Sequence, residues 1–252
     1  MKFTFIAILF FMIAVNTSAQ YSDTALVTSS NKFKIKTALE IGIPSLMITY
    51  GMLSFHNQGL LHIDHSTQSE LREDNRITHH KLDNFFQFIP SVAAFSMKLS
   101  GVQSTHKLKD MVIIYGLSNL LETAIVYSTK SFVNRTRPDG SKNNSFPSGH
   151  TATAFVAAEF LHQEYKDKSI FISLGGYAVA SLVGGARVTN NKHWVSDVVT
   201  GAGIGIISTK IIYWTYPYIQ KTFSLKDKNK HQTFIFPSYN DGILGLNLAC
   251  RF

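Results

Sequence analysis

The stretches 170-IFISLGGYAVASLVGGARV-188 and 198-VVTGAGIGIISTKIIYWTYPY-218 decide the fold of this chain. Both are apolar on all sides of a helix, and each approaches the roughly 20 residues that an α-helix needs to cross a bilayer. Gly201, Gly203 and Gly205 in the second stretch permit the close approach of another helix. The sequence therefore predicts an all-α, membrane-embedded helical bundle.

Further apolar blocks precede these two and bring the expected number of transmembrane helices to five or six. The additional blocks cover residues 37–55, 85–102, 111–127 and 151–161. Three of them contain a carboxylate, which must face the bundle interior because an ionised group is costly in lipid. These carboxylates are Glu40, Glu122 and Glu159.

The two ends of the chain are expected to lie outside the helical domain. Residues 1–19 have a positive start, an apolar core and the sequence Thr17-Ser18-Ala19, which suits a signal peptidase. They are predicted to be either a cleaved signal peptide or an N-terminal anchor. The helical domain is expected over residues 30–220, followed by a tail over 221–252. In that tail, Asn240-Asp241-Gly242 between short apolar runs predicts a β-hairpin.

The net charge of +8 comes with lysines that gather between the apolar blocks. This distribution indicates membrane orientation rather than nucleic-acid binding, because cytoplasmic loops carry an excess of Lys and Arg. The rule places segments 98–109, 166–168 and 221–230 in the cytoplasm. Segments 130–150 and 187–197 then face outward together, at the periplasmic face of a bacterial inner membrane. The single cysteine excludes an intrachain disulfide.

The two outward segments carry the residue types that hold and cleave a phosphate ester. Lys130, Arg137 and Arg187 carry positive charge and only donate hydrogen bonds. The imidazoles of His150 and His193 titrate near neutrality and can move protons or attack phosphorus. Together these residues predict a site that binds a phosphate dianion and breaks one of its ester bonds.

His193 and Asp197 are four residues apart and would share a face of a helix. A carboxylate bonded to one imidazole nitrogen fixes the tautomer and leaves the other nitrogen free as a nucleophile or base. In isolation, such a pair is also compatible with an ordinary surface contact. The nearby Arg187 and a second histidine in the other segment favour the catalytic interpretation.

Pro147-Ser148-Gly149-His150 opens a helix that is expected to start near Thr151. Ser148 is predicted to be its N-cap, and backbone N–H groups at such a terminus bind anions. Gly149 lets the backbone approach a phosphate oxygen closely. His150 would then lie beside the bound anion, where it can act as a general acid.

Other polar and aromatic residues are predicted to have no catalytic part. Arg135 is interpreted as a surface charge and Trp194 as an interfacial aromatic residue. The histidines between the first two apolar blocks fit no strong metal-ligand spacing. These histidines are His56, His62, His65, His79 and His80.

Taken together, the motifs resemble the type-2 phosphatidic acid phosphatase family. The family pattern is K-x6-RP, then PSGH, then SR-x5-H-x3-D. The chain departs from it at Ala186, where the family usually has serine, and so loses one hydroxyl donor to the phosphate. The matching residues are Lys130, Arg137, Pro138, Pro147, Ser148, Gly149, His150, Arg187, His193 and Asp197.

The resemblance implies a role for each site residue. His193 would be the nucleophile that forms a phosphohistidine, Asp197 would orient it, and His150 would protonate the leaving alcohol. The resemblance implies a lipid phosphate substrate in a bilayer, and no metal or other cofactor. The residues that it assigns to phosphate binding are Lys130, Arg137, Ser148, Gly149 and Arg187.

The substrate is less well determined than the reaction. Family members of this layout act on lipid A phosphates, undecaprenyl pyrophosphate or phosphatidylglycerophosphate, and lipid A is the favoured substrate here. Rival interpretations are a soluble secreted acid phosphatase, a vanadate-dependent haloperoxidase and a membrane protein without activity. Helices that are apolar on all sides argue against the first, and the complete His–His–Asp set argues against the last.

Overall fold

The structure, a computed structural model, describes residues 27–54, 58–73, 83–226, 232–240 and 243–251. The predicted signal or anchor over residues 1–19 lies outside this range. The helices are α1 (Val27–Leu53), α2 (Gln58–Glu73), α3 (Asp83–Phe86), α4 (Ile89–Leu99), α5 (Leu108–Val133), α6 (Gly149–Tyr165), α7 (Ile170–Thr189) and α8 (Val195–Lys226). The strands are β1 (Gln232–Asn240) and β2 (Ile243–Arg251).

The two strands pair in antiparallel register where the sequence predicts a β-hairpin. Asn240 pairs with Ile243 next to the connection, and Gln232 pairs with Arg251 at the open end. Packing within the chain divides it into one unit that ends at Glu40 and a second unit that begins at Ile41. All motif residues belong to the second unit.

Helix α6 lies at the centre of the second unit and packs against α4, α5, α7 and α8. Most of its side chains are buried, which its many alanines allow because they let neighbouring helices approach closely. At its C-terminal end, Phe160 and Tyr165 pack against Met111 and Ile114 of α5 and against Ile212 of α8. The interior of the bundle is therefore built around the helix that begins with the Pro-Ser-Gly-His turn.

The glycines of α8 bring its backbone against neighbouring segments, as the sequence predicts. A Cβ atom on Gly205 would lie 2.3 Å from the carbonyl oxygen of Ala152 in α6. A Cβ atom on Gly201 would lie 2.5 Å from the carbonyl oxygen of Ser148, just before α6. Real Cβ atoms do not approach backbone this closely, so glycine is required for the α6–α8 packing.

Three described helices are long and apolar enough to cross a membrane: α5, α7 and α8 up to Thr222. Large apolar side chains on α5 and α7 face outward; Phe171 is 79% exposed and Leu182 is 70% exposed. Extended apolar surface of this kind is suited to lipid and not to water. The chain is therefore a membrane protein with a helical bundle.

The number of such helices within the described residues is three, whereas the sequence suggests five or six. Helix α4 has 11 residues because a turn at Gln87 and Phe88 divides the apolar block 85–102. Helix α6 has 17 residues, and its apolar character reflects burial inside the protein. Both are shorter than the roughly 20 residues needed to span the hydrocarbon core.

Two of the three carboxylates in the apolar blocks are buried in the bundle, as expected. Glu122 and Glu159 are almost fully buried, whereas Glu40 is only partly buried. Glu159 forms an ion pair with Lys210 of α8 at 2.9 Å and accepts hydrogen bonds from Gln163 and Tyr177. A buried charge in a membrane bundle is tolerated when it is paired in this way.

The lysine-rich connections and the motifs lie at opposite ends of the bundle. At one end, the His106 backbone N–H donates to Glu164 at 2.9 Å, and the Tyr216 hydroxyl donates to Asp110 at 2.5 Å. These contacts join the start of α5 to the end of α6 and to the later part of α8. The end of α5, the start of α6, the end of α7 and the start of α8 form the other end.

Candidate active site

Asn144 joins the two cations of the first motif. The Lys130 ammonium, near the C-terminus of α5, donates to the Asn144 carbonyl oxygen at 2.6 Å. The Arg137 Nε donates to the Asn144 side-chain oxygen at 3.0 Å. Two positive charges are thereby held beside the segment that leads into the Pro-Ser-Gly-His turn.

Ser145 joins this segment to the last motif. Its carbonyl oxygen lies 2.8 Å from His193 Nδ1, and its hydroxyl donates to Asp197 Oδ2. Three residues later, the Ser148 backbone N–H donates to the Asp197 carbonyl oxygen at 3.0 Å. The short segment from Asn144 to Ser148 therefore brings the three motifs together at one end of the bundle.

His193 is held as a neutral imidazole with a defined tautomer. A carbonyl oxygen can only accept, so His193 Nδ1 carries the hydrogen donated to Ser145, and Nε2 keeps its lone pair. Burial lowers the pKa of His193, nearby Lys130 and Arg187 lower it further, and Asp197 opposes the shift. The ring is therefore uncharged at neutral pH, as a nitrogen nucleophile must be.

The sequence predicts that Asp197 fixes this tautomer. In the structure, the hydrogen bond from His193 Nδ1 goes to the Ser145 carbonyl oxygen instead. Asp197 Oδ2 lies 3.6 Å from His193 Nδ1, which is beyond hydrogen-bond distance. The reason is local: His193 precedes α8, so it does not share a helix face with Asp197. The Trp194 backbone N–H donates to Asp197 Oδ2 at 2.9 Å, an arrangement similar to one half of a capping box.

The interpretation of Arg135 as a surface charge is wrong. Its side chain is 11% exposed, and its Nη1 donates to Asp197 Oδ1 and to the Ser196 hydroxyl, both at 2.7 Å. Its Nη2 donates to Asp64 Oδ2 at 2.8 Å. The guanidinium also lies 5.2 Å from the centre of the Trp194 ring. Two arginines flank Thr136, and only tertiary contacts decide which one faces the carboxylates.

Asp64 is a site residue that the sequence gives no signal to find. It lies on α2, is 1% exposed, and accepts from the Ser196 backbone N–H at 2.9 Å as well as from Arg135. Its neighbour His65 packs edge-on against Trp194, so Trp194 is a packing residue of the site as well as a surface aromatic. Within the described ranges, His, Cys, Asp and Glu side chains form no group of three or more that could hold a metal ion.

The remaining predicted site residues lie around the same helix ends. Helix α6 begins at Gly149, two positions before the expected start, and His150 follows in its first turn, partly buried. Ser148 is buried in extended conformation before the helix, and its hydroxyl bonds Thr151 instead of capping a backbone N–H. Arg187 is buried in the last turn of α7, and its carbonyl oxygen accepts from the His193 backbone N–H at 3.2 Å.

Comparisons with known proteins find relatives that are named as phosphatases. A lipid A 1-phosphatase of Porphyromonas gingivalis is 42% identical over 137 residues, which are 54% of this chain and 31% of that protein. A phosphatidylglycerophosphatase B of Bacillus subtilis is 33% identical over 38% of this chain and 52% of its own length. The chain thus spans about a third to a half of these two relatives.

The crystal structure of Aquifex aeolicus LpxE is 29% identical, with a TM-score of 0.44, over 58% of this chain and 93% of that one. The sequence model of the PAP2 superfamily matches residues 111–221. This segment contains all the motif residues that converge on Asn144–Ser148, and it is the part of the chain that is similar to the PAP2 superfamily.

Proposed function

We propose that this chain is a phosphatase that hydrolyses a lipid phosphomonoester through a phosphohistidine on His193, with lipid A as its substrate. The observation that carries the proposal is the convergence of the motifs on the segment from Asn144 to Ser148. It brings a neutral, oriented imidazole together with the motif cations Lys130, Arg137 and Arg187. This combination of groups is suited to phosphoryl transfer.

In the first step, the His193 Nε2 lone pair attacks phosphorus and the bond from phosphorus to the lipid oxygen breaks. His150 donates a proton to that oxygen, so the lipid leaves as an alcohol. The phosphorylated ring is an imidazolium, because Nδ1 keeps the hydrogen that it donates to Ser145. The carboxylate of Asp197, 3.6 Å from Nδ1, stabilises this new positive charge.

In the second step, water attacks the phosphohistidine. His150, now neutral, removes a proton from the water, the P–N bond breaks, and its electron pair returns to His193 Nε2. The products are inorganic phosphate and the starting form of the enzyme. Through both steps Lys130, Arg137 and Arg187 would neutralise the oxygens of the transferred group, with donors from Ser148 and Gly149.

The choice of lipid A rests on the relatives. The Porphyromonas protein, at 42% identity, is named a lipid A 1-phosphatase. Phosphatidylglycerophosphate is the second candidate, because the Bacillus subtilis relative is named phosphatidylglycerophosphatase B. A lipid substrate also suits a site at the end of helices that expose apolar side chains, since a lipid phosphate lies at the surface of the bilayer.

The proposed orientation places the site at the periplasmic face of the inner membrane. In support, the lysine-rich connections at residues 98–109 and 166–168 lie at the end of the bundle opposite the motifs. The positive-inside rule assigns the lysine-rich end to the cytoplasm.

The test of function is a competition among lipid phosphates. The full-length protein in detergent micelles would receive lipid A, phosphatidylglycerophosphate and undecaprenyl pyrophosphate at equal mole fraction. We expect mass spectrometry to show the loss of one phosphate from lipid A with the highest kcat/KM, and no loss of activity with EDTA. Preferential hydrolysis of another lipid would reject the lipid A assignment, and EDTA inhibition reversed by a divalent ion would reject the metal-free mechanism.

The substitution Gly149→Ala tests the predicted backbone contact with phosphate separately from the other site residues. A Cβ atom there would meet only Val126 Cγ1, at an ordinary 3.7 Å, so packing leaves room for alanine. If the backbone at Gly149 approaches the phosphate, Gly149→Ala should keep the melting temperature but lower kcat/KM by roughly 10²-fold, because the phosphate would be displaced. Gly175→Ala on the exposed face of α7 is the control. Equal kcat/KM in the two variants would show that the backbone at Gly149 does not contact the phosphate.

A further inference from the structure

Asp64, Arg135 and Asp197 form a buried array of charges, of which the phosphoryl-transfer steps use only Asp197. The side chains of both aspartates are fully buried, and that of Arg135 is 11% exposed. The Arg135 guanidinium lies between the two carboxylates, at 2.8 Å from Asp64 and 2.7 Å from Asp197. Burying three ionised groups is costly unless they are paired and hydrogen-bonded, and here they are.

Ser196 completes the array and connects it to the start of α8. Its backbone N–H donates to Asp64 Oδ1 at 2.9 Å, and its hydroxyl donates to Asp64 Oδ2 at 2.5 Å. The same hydroxyl accepts from Arg135 Nη1 at 2.7 Å. Asp64 thus satisfies a backbone donor in the first helical turn, immediately before Asp197.

We infer that Arg135 and Asp64 are positioning residues that set the orientation and the charge of Asp197 for reaction at His193. Arg135 binds Asp197 Oδ1, which leaves Oδ2 as the oxygen that faces His193 Nδ1. The inference rests on the proposed function, because it assigns these residues to the same reaction.

The net charge of the array explains why two carboxylates and one guanidinium are found beside His193. Asp64, Arg135 and Asp197 together carry one net negative charge. When His193 accepts a phosphoryl group and becomes an imidazolium, the array and the ring together become neutral. Arg135 alone would weaken the attraction of Asp197 for the imidazolium, and Asp64 compensates for it.

Arginine is required here because of its shape as well as its charge. One planar guanidinium donates to three acceptors, Asp197 Oδ1, the Ser196 hydroxyl and Asp64 Oδ2. The compact ammonium of a lysine cannot span all three. We therefore expect Arg135→Lys to lower kcat by about tenfold or more with little change in KM, since the phosphate contacts proposed for Lys130 and Arg137 would remain.

A double-mutant cycle separates positioning from general stabilisation. If Arg135 acts through Asp197, then Arg135→Lys should have little further effect on kcat in protein that already carries Asp197→Asn. A multiplicative loss in the double variant would contradict the inference. Lys192→Ala is the matched control, because the Lys192 side chain pairs with Asp139 at 2.7 Å, is more exposed than the array, and makes no hydrogen bond to His193 or Asp197.

The charge part of the inference predicts that two substitutions move the pH at which His193 protonates in opposite directions. Arg135→Gln removes a positive charge and should raise the pH at which His193 protonates. Asp64→Asn removes a negative charge and should lower that pH. The other charged groups that act on the ring, Lys130 of α5, Arg187 of α7 and Asp197 of α8, are unchanged in both variants.

Two measurements report these shifts: the acid limb of kcat/KM, and an NMR titration of the His193 imidazole, which needs no turnover. Shifts in the same direction, or no shift in either variant, would overturn the inference even if the wild-type protein is active. A wild-type protein without phosphatase activity would instead reject the proposed function, while the titration still tests the array. If one variant does not fold, the direction of the shift in the other still tests the charge part of the inference, and the double-mutant cycle still tests the positioning part.

Discussion

Replacing His193 with alanine is expected to lower phosphate release by roughly 10⁴-fold or more, because the substitution removes the proposed nucleophile. The wild-type protein, quenched during turnover of a ³²P-labelled substrate, should carry label in an acid-labile, base-stable P–N bond. His193→Ala should carry none. Label that survives in His193→Ala would show that another residue is the nucleophile.

His150 should behave differently from His193 in the same experiment. With an aryl phosphate, whose leaving group needs little protonation, His150→Ala should still form the phosphohistidine but hydrolyse it slowly. The label should therefore accumulate. His162→Ala is the control, because His162 lies on the same helix, is likewise partly buried, and bonds Ser173 away from the motifs. Equal effects of the His150 and His162 substitutions would argue against proton transfer by His150.

Replacing Gly205 with alanine is expected to destabilise the bundle by about 1–3 kcal/mol or more, because its Cβ would lie 2.3 Å from backbone. Neither the Ala152 carbonyl nor the adjacent Val156 backbone can move without shifting α6. Gly201→Ala should also reduce activity, since its Cβ would lie 2.5 Å from the carbonyl oxygen of Ser148, which belongs to the turn proposed to bind phosphate. Melting temperatures in detergent and kcat/KM measure the two effects.

Gly116 supplies the matched control for this packing. It lies on the outward face of α5, and a Cβ atom there would meet nothing within 4 Å. Gly116→Ala should leave the melting temperature unchanged or raise it slightly, because alanine favours a helix. An equal loss of stability at positions 116 and 205 would show that close contact with α6 is not the reason for glycine in α8.

The sequence is sufficient to predict the parts of the fold and site that depend on local pattern. The apolar blocks give the long helices, the glycines of α8 give the close packing, and the spacing of Lys130, Arg137, His193 and Asp197 marks the segments that converge. These features follow from residue type and position along one element. They need no knowledge of what packs against it.

The features that the sequence does not give depend on contacts between distant residues. Asp64 and Arg135 are 71 positions apart, and neither has a local signature that distinguishes it from a surface charge. The Ser145 carbonyl takes the hydrogen bond predicted for Asp197 because of a turn that only the folded chain forms. Helix α6 is apolar enough to suggest a membrane span, yet its length and burial make it the centre of the protein.

The ion pair between Glu159 and Lys210 has a consequence for how the chain enters the bilayer during synthesis. A lysine near the middle of an isolated transmembrane segment costs about 2.5–3.5 kcal/mol to insert. Glu159 emerges from the ribosome before Lys210, so the counter-ion is already made when α8 reaches the translocon. We therefore expect the insertion of α8 to depend on Glu159, so that Glu159→Ala should lower the amount of protein that is inserted in the membrane.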